Sequence, residues 1–374
     1  NSISRWKDFG LNTKEILHLK EYYKSHTREI LSNGLDNIDK LENEVQKLDI
    51  IRQEILSDST ITELAKIKTL VDNCKKMGTF SFSILARYAF VSNTFLKSFL
   101  DKKIISKISY NSYLNSIETV ASDLVYSMEQ LSNGFIDENK FMNKFGHLRP
   151  GSFDIQSYRY DEKPELYLNS SKITASEEDS KKENFSFTSD EKENLFEEFN
   201  NLDLNIDLDT LLEFIKRSIK SREYSKFIFS RSLSDSLSLI KKWGKDQGIS
   251  VDDLSYLEIQ HIFNFDSSIG NENLEVIKNQ ILEAKMEHEI YSNIVLPDLI
   301  LSPDDISSFH MQSSKPNFIS NEKESGEIIK LSSKNVNYEI NNKIVFIESA
   351  DPGYDWIFLH KIKGLVTKYG GAAS

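Results

Sequence analysis

Lys144-Phe145-Gly146-His147-Leu148-Arg149-Pro150-Gly151-Ser152-Phe153-Asp154-Ile155 is the stretch on which the reading of this chain turns. Pro150 and Gly151 stop any helix that runs up to it, because proline lacks an amide proton and its ring crowds the preceding turn. The two glycines admit backbone conformations closed to other residues, or let another group come close. What results is a tight loop carrying a histidine, an arginine and a carboxylate, Asp154. A guanidinium so placed can grip an anion with its planar fork. Equally, His147 and Arg149 can satisfy nearby carbonyls at a helix stop. Both readings are open on these residues alone.

Upstream of the loop the pattern is helical. The spacing predicts a helix over 12–33, with Asn12 or Thr13 near its cap and Gly34 as its stop. A second helix is expected over 35–56, where Ile38, Leu41, Val45, Leu48 and Ile55 recur at helical spacing, and a third over 60–76. Gly78-Thr79 punctuates the chain before an aromatic-rich core helix over 80–100. Arg87 sits inside that apolar run, and a buried guanidinium needs an anion or several carbonyls. Helices over 111–128 and 137–144 lead into the loop.

Downstream, residues 169–192 are polar with little to bury and read as an insertion or linker. Helices are expected again over 190–199, 207–220 and 221–244, then from Ser250-Val251-Asp252-Asp253, a serine cap followed by first-turn acids, and over 271–289. Arg222 and Lys226 lie four apart and share a helical face. Like charges there are mildly unfavourable unless an anion lies between them. The plainer alternative is a solvated face on which Glu223 pairs with Lys226. Arg231 falls partly off that face. His261 and His288 have no partner at metal spacing and read as packing or surface histidines. From Asn293 the pattern turns extended: 295–297, 299–301, then strands at 328–331, 343–347 and 364–367, with a turn at Asp351-Pro352-Gly353 and a helix over 354–360. The expected fold is mainly α, a helical domain over 1–320 followed by the start of a small α/β domain over 321–374.

Composition narrows the classes. In 374 residues, 39% are hydrophobic and 28% charged, the balance of a soluble globular protein with two or three domains. The formal net charge of −12 argues against a nucleic-acid partner. A lone cysteine, Cys74, precludes an internal disulfide and fits a reducing, cytoplasmic setting; it reads as a small buried apolar residue. No apolar run approaches the roughly 20 residues that span a bilayer, and no secretory signal is recognisable. No zinc constellation and no glycine-rich phosphate loop occurs. Asn1-Ser2-Ile3 does not open on methionine, and the chain is expected to be part of a longer protein.

The opening stretch, with Tyr158-Arg159-Tyr160-Asp161-Glu162, resembles the middle domain of the phosphotransferases related to phosphoenolpyruvate synthase and pyruvate phosphate dikinase. Ala350-Asp351-Pro352-Gly353-Tyr354-Asp355-Trp356, with Gly364 to Ser374, independently resembles the opening of that family's swivelling phosphohistidine domain. Gly78-Thr79-Phe80 with Ala86-Arg87 and Phe90, the run Arg222 to Arg231, and Lys315-Pro316-Asn317-Phe318-Ile319 add to the likeness, which covers about residues 75–165, 207–260 and 315–374. The resemblance implies a relay. ATP, with Mg²⁺, would phosphorylate a histidine from an ATP-binding domain of the same polypeptide that is missing here. The swivelling domain would carry the phosphoryl group to an acceptor on the helical domain. In the family the phosphorylated histidine directly follows the residue matching Ser374, so this chain by itself is expected to be inactive.

The resemblance implies roles for particular residues. His147, Arg222 and Lys226 would be catalytic, the histidine as proton acceptor or positioning group. Arg87, Arg149, Asp154 and Arg231 would bind the acceptor. In related antibiotic phosphotransferases an Arg and a Lys at the spacing of Arg222 and Lys226 lie where phosphoryl group and acceptor meet. His147, Arg149, Arg222 and Lys226 are expected to converge on one cavity, because phosphoryl transfer needs several cations around the moving group. The combination of Gly-His-Leu-Arg-Pro-Gly with Ala-Asp-Pro-Gly-Tyr-Asp-Trp resembles L-glutamine kinases of capsule phosphoramidate biosynthesis. That makes the side-chain amide of L-glutamine the favoured acceptor, ahead of pyruvate or an antibiotic. A non-catalytic helical scaffold is the alternative from another class. No metal ligand set, nucleic acid or membrane partner is expected.

Overall fold

The computed structural model describes residues 6–7, 10–168, 185–202, 204, 206–265, 271–297, 299–307, 316, 318, 320, 322–332 and 339–370. The chain is mainly helical, with one small parallel sheet near its C-terminal end. Among the described residues, no helix is long and apolar enough to cross a membrane. Most of the polar stretch expected as a linker, the connector residues Lys315, Asn317 and Ile319, and Gly371 to Ser374 lie outside the described residues.

The chain divides into two compact units. The first comprises Asn1–Glu54, Asp72–Tyr126 and Thr174–Ser232; the second comprises Ile55–Val71, Ser127–Ile173 and Leu233–Ser374.

In the first unit the leading element is α1, Thr13–Ser57, a helix of 45 residues. Asn12 caps it: its side-chain oxygen accepts from the amides of Lys14 and Glu15, and Glu15 reaches back to the Asn12 amide at 2.8 Å. This reciprocal box satisfies amides that have no partner inside the helix. Gly34 does not end the helix. A side chain there would meet the Phe214 ring at 2.5 Å, so the glycine serves close packing. Two helices expected from the sequence are therefore one.

The helix α2, Glu63–Asn73, belongs to the second unit up to Val71 and runs on through a π-helical turn, Cys74–Thr79, into α3, Phe80–Asp101, of the first. Gly78-Thr79 thus lies within continuous helical backbone, and a Cβ on Gly78 would fall 2.5 Å from Phe229. The helix expected over 111–128 is instead two, α4 (Lys107–Ser116) and α5 (Val120–Ser132), because Ile117 adopts an extended backbone and turns its side chain into the core. The unit's other helical segments are α8 (Ser189–Leu202) and the opening of α9 (Leu208–Asp246), which runs unbroken where two helices were expected. Its core joins Leu31 and Ile38 of α1, Leu85 and Leu96 of α3, and Leu211 and Phe214 of α9.

The second unit takes up α9 from Leu233 onward. It holds α6 (Glu138–Phe145, capped by Asp137), α7 (Pro164–Tyr167), α10 (Val251–Leu254, capped by Ser250), α11 (Ile259–Phe263) and α12 (Asn271–Tyr291). Ile67, Ile155, Ile240, Trp243, Ile262 and Ile277 form the centre of its core. The sheet belongs to this unit. Strands β1 (Ile328–Lys330), β2 (Ile344–Ser349) and β3 (Gly364–Tyr369) lie in that order, all parallel, with Ile329 opposite Val345 and Val345 opposite Leu365. Between β2 and β3 the expected helix is a 3₁₀ segment, Pro352–Leu359, capped by Asp351. No strand forms among the described residues of 295–301.

Candidate functional site

His147, Arg149 and Asp154 fall in the second unit; Arg87, Arg222, Lys226 and Arg231 fall in the first.

The loop begins where α6 ends. Gly146 keeps right-handed backbone, while Gly151 takes φ +74°, a value that L side chains avoid. The chain then doubles back, with the Tyr160 amide donating to the Leu148 carbonyl (2.9 Å) and Asp161 to Gly146 (3.1 Å). His147 is buried, and its carbonyl accepts from the Ser234 hydroxyl at 2.6 Å. Asp154 serves the turn, accepting from the Gln156 amide at 2.8 Å.

Arg149 is 2% exposed. Its Nε and Nη2 donate to Ser234 Oγ, Nη1 to the Ser157 carbonyl, and Nη2 also to the Ser234 carbonyl and Ser238 Oγ, at 3.1–3.4 Å. Among the described residues no carboxylate lies within ion-pair distance of it. Burial pushes the Arg149 guanidinium down to about 10, against the pull of Glu162, Asp161 and Asp154. The site therefore pairs a desolvated cation with neutral acceptors.

Beside it, the Lys241 ammonium donates to the same Ser157 carbonyl and to Glu162, and burial lowers its pKa. Glu162 closes the circuit by accepting from Ser238. Burial opposes its charge, but the Arg159 amide and the nearby Lys241 and Arg149 outweigh it and hold the carboxyl below its usual range. Arg159 bridges Asp161 and Asp235. Ser234, Ser238 and Lys241 share one face of α9. The recurrence of serine from Ser230 to Ser238 is the sequence signal that could have found them.

In the first unit, Arg87 is exposed, not buried: Leu85, Tyr88 and Ala89 take the core face of α3 and leave Arg87 on the other side. Arg222 stacks its guanidinium 5.9 Å from the ring centre of Phe90, itself 60% exposed. Arg222 Nε is buried without a hydrogen bond and lies 3.5 Å from Glu223, so Glu223 faces Arg222, one residue away. The contacts Phe82–Phe229, Phe90–Arg222 and Ser92–Ser218 show that α3 and α9 run antiparallel. Arg87 is exposed on α3, and Lys226 is half-buried on α9. Of these residues, Phe90 and Arg222 are in contact. Phe90 is the member that sequence reasoning did not single out. Arg231 is engaged elsewhere: it pairs with Asp49 at 2.7 Å and stacks on Phe227, while Asp49 also holds Arg52.

Other candidates resolve quietly. Cys74 is buried with its thiol toward the Phe229 carbonyl, and burial pushes its pKa up to about 11. His288 stands edge-on to Tyr256, and His261 Nδ1 is buried without a hydrogen bond. Among the described residues no group of three or more His, Cys, Asp or Glu is placed to hold a metal ion. A comparison with protein-family models finds no match for this chain, and a comparison with curated proteins finds none either.

Proposed function

We propose that this chain is the acceptor-binding portion of an ATP-dependent phosphotransferase that works through a phosphohistidine, with L-glutamine as acceptor. The observation that carries the reading is an interlock. The two stretches that independently resemble the same family are about 200 residues apart in sequence, and they touch: Tyr160 donates to the Gly353 carbonyl at 2.9 Å, and Ser152 donates to Asp351 at 2.9 Å. In the proposed net reaction, ATP, L-glutamine and water yield AMP, L-glutamine phosphate and phosphate. In the transfer step the histidine P–N bond breaks as a P–N bond to the side-chain amide nitrogen forms, and the amide gives up a proton.

Such a transfer needs cations at the equatorial oxygens and little else from the protein. Arg222 and Lys226 are assigned that role, and Arg87 is assigned to acceptor binding. Arg222 is suited to it, since its guanidinium lies against the exposed Phe90 ring and its Nε, in ion-pair contact with Glu223, makes no hydrogen bond. The amide proton passes to the released imidazole, and no group of the second unit is assigned to this step. ATP and Mg²⁺ belong, on this reading, to a nucleotide domain outside these 374 residues, and no residue here is assigned to them.

The test separates the half-reactions in the longer protein. Arg222→Ala or Lys226→Ala should leave phosphohistidine formation intact and slow its discharge by L-glutamine on the order of 10²-fold, as loss of a transition-state donor does. Discharge at the parental rate would remove the clamp assignment. A helical scaffold without catalysis is the second reading. It is favoured by the saturation of Arg149 and Arg231 with protein partners. It would gain if L-glutamine, pyruvate and other small acceptors all failed to discharge a formed phosphohistidine.

A further inference from the structure

The contact at Gly353 is unusual in its demands. A Cβ built on Gly353 would fall inside the Arg149 carbonyl group and against Pro150 N, so only glycine permits this approach. Three hydrogen-bonded ties surround it. The Asp351 carboxylate accepts from both the amide and the hydroxyl of Ser152, and also from the Gly353 amide at 3.0 Å. Tyr160, fully buried, donates its hydroxyl to the Gly353 carbonyl. Trp356, three residues on, is 1% exposed and lies 6.1 Å from Tyr167, which stacks on Tyr160 at 4.5 Å.

The residues on the loop side are those that shape the candidate site. Gly353 presses on the carbonyl of the same Arg149 whose guanidinium is held by Ser157, Ser234 and Ser238. Tyr160 both anchors Gly353 through its hydroxyl and closes the loop through its amide on Leu148. A shift of Gly353 therefore has a direct mechanical route to the backbone that positions His147 and Arg149.

We propose that Asp351-Pro352-Gly353 is a latch. Its seating on the Arg149–Ser152 loop sets the conformation of that loop, so that the segment between β2 and β3 and the loop order and disorder together. This goes beyond the phosphotransferase reading and does not depend on it, since the test uses neither ATP nor acceptor.

The test is hydrogen exchange followed by mass spectrometry on the intact chain. Gly353→Ala should speed exchange about tenfold or more in two places at once, residues 351–359 and residues 146–161, the scale expected when a local opening loses a few supporting hydrogen bonds. Should Gly353→Ala fail to fold, Ser152→Ala and Tyr160→Phe each remove one tie without steric conflict and should show the same paired response at smaller amplitude. Gly364→Ala is the control: a Cβ there meets open space, and the loop should exchange at the parental rate. Faster exchange in 351–359 alone would overturn the proposal, as would unchanged exchange in both segments. Equal acceleration of the loop by Gly364→Ala would overturn it too.

Discussion

Arg149 carries the most consequential chemistry of any single residue in the second unit. Its guanidinium is out of water and bound to hydroxyls and carbonyls, with no carboxylate among the described residues in ion-pair contact. Such a cation is held only because its planar fork addresses several acceptors at once. Lysine offers one compact ammonium and cannot span Ser157, Ser234 and Ser238 together. Arg149→Lys should therefore lose about 2 kcal/mol or more of stability, the scale of one or two charge-assisted bonds left unmade. Urea unfolding reads this directly, and a variant as stable as the parent would show that the serine cage contributes nothing. The same cage means that Arg149 organises the loop in this conformation.

Among the elements, α1 and α9 show how a glycine reads differently by itself and in contact. Gly34 lies mid-helix, where alanine would gain about 1 kcal/mol by propensity. Against that, a Cβ would meet the Phe214 ring at 2.5 Å, and overpacking of a filled core costs about 1–3 kcal/mol. The clash outweighs the propensity, because Phe214 is itself fully buried and has no room to retreat. Gly34→Ala is thus expected to destabilise the first unit by about 1 kcal/mol, measured by thermal or urea unfolding. A net gain in stability would mean that α1 and α9 can move apart at no cost.

For the molecule as a whole, the acid limit of stability should be set in part by Glu191. Burial would raise its carboxyl, but the Ser106 amide, the Ser109 hydroxyl and the Thr188 amide outweigh it and hold the pKa at about 2. Glu191 thereby ties the start of α4 to the start of α8. A carboxyl whose folded pKa lies below its unfolded value of about 4.3 contributes stability that is present above the unfolded value and is lost as pH falls toward the folded one. The window is therefore about pH 4.5 down to 2. The general decline of net negative charge acts in the opposite direction at first, by relieving self-repulsion. Glu191→Gln should be less stable than the parent at pH 7, with a shallower loss between pH 4.5 and 2, as followed by circular dichroism during urea titration. Parallel pH profiles for the two proteins would exclude Glu191 as a source of the acid sensitivity.

The helical class, the caps at Asn12 and Ser250, the onset of strands late in the chain and the break at Pro150-Gly151 were legible without coordinates. Each depends on residues within about four positions of one another, through periodicity or a side chain reaching its own backbone. The tight turn that carries His147 and Arg149 was legible for the same reason: its unusual residues are adjacent. What the loop grips was not. Ser234 and Ser238 lie some 85 residues away, and their hydroxyls become acceptors for Arg149 only because the path of α9 brings them there. The glycines misread as breaks at Gly34 and Gly78 failed for the same cause, since glycine signals a stop locally but a close contact when Phe214 or Phe229 packs on it. Arg87 was misplaced because an apolar run does not say which side of a helix faces the core until its neighbours are in position. Local propensity is carried by the chain itself; acceptors, close approaches and buried faces are properties of where distant segments meet, and only the tertiary structure decides them.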